Sequence, residues 1–538
     1  MSTQVAIAQI NSIVGDLEGN RLRIAAVAQR AAAAGADIVI TPELSLTGYP
    51  PEDLLLNNSF CEAAMTTLDA LAADLAHFPG LYVLVGHPLT ENGTRYNACS
   101  ILSEGRIIDS YRKMALPNHS VFDEKRYFAS GTQPLVFTVK DIRFGINICE
   151  DVWFPEAPAL AREAGAEILL VTNASPYHMN KLPERCDILR KNVSAQGMAA
   201  IYVNLVGGQD ELLFDGNSFA LDRDGNICVR LLHCEEDFEL VRCDKGNVLP
   251  GRQEKETSIE EDVYRALVLG TRDYVEKNGF PGIVLGLSGG VDSALTLAIA
   301  TDALGKERVN AIMMPSLYTL EISLADARDM AERLGVNYDV IPIGKCFSAF
   351  LDTLSDRFSG FPEDVTEENI QARIRGTLLM ALSNKTGSIV LTTGNKSELA
   401  VGYSTLYGDM AGGFAVIRDI PKTLVYRLCR YRNSLSDIIP ERILTRAPSA
   451  ELRPNQRDQD SLPPYEILDA IVKMFMEEGK SLREIVAAGY EQGVVERILS
   501  LIRKNEYKRR QAPIGIRITP HGFGRDWRHP ITSKYRDN

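Results

Sequence analysis

Residues 282–293, GIVLGLSGGVDS, pass from an apolar run into a loop of small residues and on into the alanine-rich start of a helix. A strand, a glycine turn and a helix in that order belong to an α/β fold, with the turn at the carboxyl end of a strand. Glycines let backbone amides close on an anion, the Ser288 and Ser293 hydroxyls add donors, and the helix start adds its positive end. Leu287, Gly289, Gly290 and Val291 complete this phosphate cradle. Asp292 would repel phosphate unless a cation lay between them, so the loop implies Mg²⁺ with a nucleotide. No GK[ST] follows, which excludes a Walker loop.

The chain around the loop repeats strand and helix in turn. After it come Ser293–Leu304, Val309–Met314, Leu324–Leu334, Tyr338–Ile343, Ile370–Ser383 and Ile389–Thr393, predicting a doubly wound parallel sheet with ligands at the carboxyl ends of its strands. From Val5 to Asp244, short apolar strands such as Gln4–Ile10, Ile142–Ile148 and Glu167–Thr172 alternate with helical segments, a layered α/β pattern. The stretch 245–258, KGNVLPGRQEKETS, is polar with Pro and Gly and reads as a linker. An entry helix from Ile259 to Asn278 follows, so the expected division is 1–244, a linker 245–258, and 259–538. A chain of 538 residues is too long for one core, which agrees with that division.

A formal charge of −13, from 58 basic and 71 acidic residues, argues against a nucleic-acid or membrane-surface binder. The exception is 503–538, with ten Lys or Arg against three acids, which suits a lid over a polyanionic ligand. Nine cysteines without CxxC pairs or His partners at finger spacing indicate a reducing compartment and no structural zinc. The N-terminus has neither a basic flank nor a long apolar core, so a cytoplasmic location without signal peptide or membrane span is expected.

In the first half, three residues stand just beyond apolar strands: Glu43 in TPELSLTGYP, Lys113 in YRKMALPN and Cys149 in FGINICEDVWFP. Amide cleavage by a thiol needs a carboxylate to take the proton and return it to the leaving ammonia, a role for Glu43. It also needs a fixed positive charge at the developing oxyanion, which Lys113 can supply. Glu150 either meets the substrate's α-amino group or is a surface acid. In order and context the triplet Glu43, Lys113, Cys149 resembles that of the nitrilase superfamily.

SGGVDS resembles the signature of pyrophosphate-releasing ATP enzymes, and the whole chain resembles the glutamine-dependent NAD synthetases. That resemblance implies a nitrilase-like α-β-β-α sandwich followed by a doubly wound PP-loop synthetase domain. It also implies amidation of nicotinate adenine dinucleotide (deamido-NAD) to NAD, with ATP giving AMP and pyrophosphate through an adenylate, and with glutamine as ammonia source. Glutamine contacts are implied at His119, Ser175 and Lys181, although many relatives carry Tyr where His119 stands; His119 otherwise packs under its loop. In the second half the resemblance implies ATP contacts at Thr393, Lys422 and Ser449, and dinucleotide contacts at Asn369, Arg373, Glu398 and Lys508. Asp292 and Glu398 would share the metal, and a homo-oligomer, at least a dimer through the synthetase domain, is expected. Two rivals remain: an adenylating amidotransferase of the GMP synthetase type, and a nucleotide-sensing protein with a decayed amidase. The triplet in the first half separates the first from the favoured reading, and a glutaminase assay the second.

Overall fold

In the strand Thr3–Gln9, Val5 and Ile7 face one way and Ala6 and Ala8 the other, and all four are fully buried. A strand hidden on both faces must lie between two layers. The computed structural model describes residues 2–535 and divides the chain after Thr257 into two compact units.

The first unit holds two sheets. One has seven strands in the order Asn247–Val248, Asp237–Asp244, Thr3–Gln9, Ile38–Ile40, Tyr82–Glu91, Thr94–Ser103, Arg106–Arg112. The other has six, Ile227–Arg230, Phe219–Leu221, Ala199–Asn204, Ile168–Asn173, Ile142–Ile148, Val136–Val139. Between them lies a core of Val5, Ile7, Ile40, Leu84, Phe144, Ile146, Leu170 and Ile201. The opposite faces meet helices: Val39, Val83 and Val85 pack on Leu17–Ala33 and Asn58–Asp74 through Ile24, Ala28, Leu68 and Leu71. Leu169, Val171 and Tyr202 likewise pack on Glu156–Glu163 and Lys181–Asn192. The period-two alternation of two apolar sets is what builds helix, sheet, sheet and helix in layers.

The stretch 245–258 starts as structure. Asn247–Val248 pairs antiparallel with Cys243–Asp244, and Gln253 bridges Arg230, so this polar segment is tied to the first unit almost to its end.

The second unit opens with the helix Ile259–Lys277, whose N-cap Ser258 accepts from the Glu261 amide. Its sheet is wholly parallel, in the order Asn337–Val340, Val309–Met313, Ile283–Gly286, Ile389–Thr392, Phe414–Ala415. The chain winds outward in one direction from Ile283–Gly286 and then returns to its other side, so the crevice between Ile283–Gly286 and Ile389–Thr392 is the switch point where such sheets bind ligands. The glycine loop follows the first of these strands. A helical cluster from Tyr465 to Arg509, with Leu468, Ile471, Val495, Ile498 and Ile502 at its centre, packs on Leu399 and Ala400.

All nine cysteines are free thiols. Among the described residues no helix is long and apolar enough to cross a membrane.

Candidate active sites

At the carboxyl edge of the sandwich, the two sheets deliver different groups. Glu43 and Lys113 follow strands Ile38–Ile40 and Arg106–Arg112 of the seven-stranded sheet; Cys149 follows Ile142–Ile148 of the six-stranded one. All three are buried. Cys149 opens the tight turn Cys149–Trp153 at φ 44°, a left-handed conformation that a non-glycine residue holds only under surrounding constraint.

That constraint is Asp151. Its Oδ2 accepts from the Ile148 amide at 2.9 Å and the Tyr111 hydroxyl at 2.8 Å; its Oδ1 accepts from the Met114 and Ala115 amides at 3.0 and 2.8 Å. One carboxylate therefore ties the cysteine turn to the segment that carries Lys113. Burial lifts Asp151 to about 6 even so.

Lys113 donates to Glu43 Oε1 at 2.7 Å and to Glu124 Oε1 and Oε2 at 2.8 and 2.9 Å. Glu124 also accepts from the Tyr49 hydroxyl at 2.8 Å, and Glu43 from Asn97 Nδ2 at 2.7 Å and the Ala174 amide at 2.9 Å. Burial works against the Lys113 ammonium, but Glu124 and Glu43 overcome it and hold its pKa well above the usual lysine range. Burial raises Glu124 to about 7 against the pull of Lys113. Burial, then the Glu43 charge, push the Cys149 thiol well up, with Lys113 opposing. At rest Cys149 is thus a thiol, and its activation needs a base close by.

Sequence reasoning missed Glu124. It stands among charged neighbours in FDEKRYF and reads as a solvated loop acid, whereas it is 5% exposed. Its only signal was proximity to Lys113, which becomes meaningful once the loop folds back.

Ser175 is buried at the end of strand Ile168–Asn173, its hydroxyl accepting from Arg185 Nε at 3.1 Å and its carbonyl from Arg185 Nη2 at 2.7 Å. Arg185 is itself paired with Asp215 at 2.8 Å with both side chains out of water. Lys181 starts the helix Lys181–Asn192, lies 4.1 Å from the Trp153 ring centre and donates to Glu184; burial lowers its pKa. Glu150 is buried, which raises its carboxyl, so it is not a surface acid. His119 is exposed, its ring 5.9 Å from that of Phe122, and its charge would act on Glu150.

In the second unit, Leu287, Gly289, Val291 and Ser293 are buried, Gly290 and Asp292 half-buried, and Ser288 exposed. Ser293 Oγ lies 3.0 Å from Ser288 Oγ and donates to the Gly290 carbonyl, so the loop is tied to the first turn of helix Val291–Leu304. Gly289 has φ +78°, and a Cβ there would come within 2.4 Å of the Ser323 carbonyl. Arg446 donates to the Gly289 carbonyl at 2.8 Å and to Ser323 Oγ at 2.9 Å.

Asp292 accepts from Asn395 Nδ2 at 2.9 Å and from Lys422 Nζ at 2.5 Å, and Lys422 also reaches Glu398 Oε1 at 3.0 Å. The two carboxylates expected to hold a metal thus converge on one point, where an ammonium sits. Burial raises Glu398 to about 7 while Lys422 opposes it. Thr393 is half-buried just past strand Ile389–Thr392. Ser449 is exposed, its hydroxyl accepting from the Glu451 amide.

Apart from Glu398, the residues expected at the dinucleotide gather about the loop after Gly402. Asn369 accepts from Thr405 Oγ1 at 2.8 Å, Arg373 donates to the Leu406 carbonyl at 3.2 Å, and Lys508 donates to the Gly402 and Ser404 carbonyls, both at 2.8 Å. Three other cations of the basic C-terminus are used internally. Arg509 is buried against Glu506 and backbone carbonyls, Arg510 pairs with Glu506, and Arg517 pairs with Asp526. Arg509, Arg510 and Arg517 of the expected cationic lid are therefore held in structural ion pairs.

Residues 4–248 match the carbon-nitrogen hydrolase family model and 263–512 the NAD synthase family model. The glutamine-dependent NAD(+) synthetase of Acinetobacter baylyi is 46% identical over 99% of both chains, and that of Thermotoga maritima 44% identical over 99% of both. Among solved structures, the glutamine-dependent NAD+ synthetase from Acinetobacter baumannii in complex with adenosine diphosphate superposes with a TM-score of 0.81 at 43% identity, covering 100% of each chain.

Proposed function

Because this chain belongs to the glutamine-dependent NAD(+) synthetase family, we propose that its first unit, residues 1–244, releases ammonia from glutamine, and that residues 259–538, beyond the stretch 245–258, consume it. The overall reaction is ATP-dependent amidation of deamido-NAD with glutamine-derived ammonia.

The observation that carries the assignment is the buried Lys113 ammonium held between Glu43 and Glu124 beside the Cys149 turn. Glu43 takes the thiol proton as Cys149 Sγ attacks the glutamine amide carbon. The same carboxyl then gives that proton to ammonia as the C–N bond breaks, leaving a thioester. Glu43 next deprotonates the water that releases glutamate. Lys113 faces the oxyanion formed at both steps with a fixed charge in a dry site. Ser175, Lys181, Glu150 and His119 surround the glutamine, with Glu150 taking its α-amino group.

In the second unit the nicotinate carboxylate attacks the α-phosphorus of ATP, and pyrophosphate leaves into the cradle Leu287 to Ser293. Ammonia then attacks the acyl adenylate and AMP departs. Thr393, Lys422 and Ser449 serve ATP; Asn369, Arg373, Glu398 and Lys508 serve the dinucleotide. The all-oxygen pair Asp292 and Glu398, converging within reach of one point, fits a hard cation that takes few protein ligands. Mg²⁺ held there would neutralise charge on the leaving pyrophosphate.

The nine unbridged thiols suit a cytoplasmic setting. At least a dimer, formed through the second unit, is proposed, and that unit's exposed Phe350, Phe361 and Val365 are apolar surface it could bury.

Cys149→Ala is the test. Glutamine-dependent synthesis should fall by about three orders of magnitude or more, while ammonium at alkaline pH should restore NAD formation. Glutamine still supporting the variant, or ammonium failing in a folded variant, would sink the assignment.

A further inference from the structure

Lys422 has little exposure to solvent, and its position is fixed from several sides. Its backbone N–H, at the first turn of helix Lys422–Leu435, donates to Ser397 Oγ at 2.8 Å. Its Nζ lies 2.5 Å from Asp292, 3.0 Å from Glu398 and 5.2 Å from the Tyr465 ring centre. The other oxygen of Asp292 is taken by Asn395, whose own side-chain oxygen caps the helix Lys396–Val401 that carries Glu398. A third acid, Asp458, adds to the negative field here while accepting from the Tyr403 and Tyr465 hydroxyls. The point where a divalent cation would meet both carboxylates is thus already occupied by a positive charge of the protein's own.

A bare cation entering this point must push a buried ammonium away from both of its hydrogen-bonded partners, which is costly for a charge with so little exposure to solvent. A nucleotide changes the balance. Its phosphate oxygens give Lys422 a new anionic partner, freeing Asp292 and Glu398 for the cation, so every charge stays paired. We propose that Lys422 is a stand-in counter-ion that closes the metal site to free divalent cations and opens it to the metal with its nucleotide. This rests on reading the second unit as the adenylating site. Lys422 thereby acts through the order of loading as well as through any contact with phosphate.

The test uses Mn²⁺ as probe, its free signal followed by electron paramagnetic resonance in the full chain, with and without α,β-methylene-ATP. The native protein should bind Mn²⁺ here only with the nucleotide analogue. Lys422→Met should bind Mn²⁺ without nucleotide at least about tenfold more tightly than the native chain, and adding Asp292→Asn should abolish that gain. Lys422→Arg, which keeps the charge, should stay closed. Native protein that binds Mn²⁺ equally well without nucleotide, in a manner lost on Asp292→Asn, overturns the proposal, and this arm stands even if Lys422→Met does not fold. A folded Lys422→Met that gains no affinity overturns it as well. Should the analogue fail to bind native protein at all by calorimetry, the adenylating reading itself fails, and the role of Lys422 with it.

Discussion

Lys113 donates to both carboxylate oxygens of Glu124, at 2.8 and 2.9 Å, while holding Glu43 at 2.7 Å. The ammonium has three protons, and all three have partners. Glu124 therefore fixes where the positive charge lies relative to Glu43.

Replacing one oxygen of that clamp is informative. Glu124→Gln should lower kcat for glutamine hydrolysis by about 10²-fold or more, a loss on the scale of one misplaced oxyanion partner. Ammonium-driven synthesis should be unaffected, because it uses the other unit. Steady-state assays with each nitrogen donor check both statements.

The same residue makes a pH prediction. Burial raises Glu124 to about 7 from an ordinary 4.5. The folded chain thus keeps a proton that the unfolded chain has lost, and this contribution to stability is full below about 4.5 and gone as pH rises through about 7. Between about pH 5 and about pH 8, calorimetric stability of the first unit should fall more steeply in the native chain than in Glu124→Gln. Parallel slopes would contradict the shift.

Gly289→Ala adds a Cβ 2.4 Å from the Ser323 carbonyl, at a φ of +78°. The strain of about 1–3 kcal/mol must be relieved by moving the glycine loop proposed to hold pyrophosphate. Synthesis from both glutamine and ammonium should be lost while glutamine hydrolysis continues, as separate product assays would reveal.

Arg185→Met should cost the first unit about 3–5 kcal/mol, because it leaves the buried Asp215 carboxylate without its partner. It should also raise the KM for glutamine by releasing Ser175. Adding Asp215→Leu should recover stability, measured by denaturant titration, and leave the KM defect in place. Recovery of both would reduce Arg185 to a packing role.

Much of this was visible in the sequence, for a physical reason. Glu43 and Cys149 each follow an apolar strand and Lys113 a largely polar one, RIIDSYR, so the three stand out only together, through their resemblance to the nitrilase set, whereas the glycine loop joins a strand to a helix and stands out by itself. The layers followed from the same alternation. Glu124 was hidden because its meaning depends on a contact with Lys113 made by a folded-back loop. The bridge from Lys422 to Asp292, 130 residues away, was equally out of reach. The two-residue strand Asn247–Val248 was too short to stand out from the polar stretch around it. The helices between Tyr465 and Arg509 lay past the last strand, where there was no alternation left to count.

Asp151 and Glu43 each bond across from one sheet's edge to the other's: Asp151 from the cysteine turn to the Met114 and Ala115 amides, Glu43 to the Ala174 amide. The carboxylate proposed as proton carrier and the one that holds the cysteine turn are therefore also the rivets of the sandwich at that edge. Loosening the edge and losing the reaction would then be one event, so the hydrogen-bonded Met114, Ala115 and Ala174 amide protons should exchange slowly and report on the enzyme's competence as directly as any substrate does.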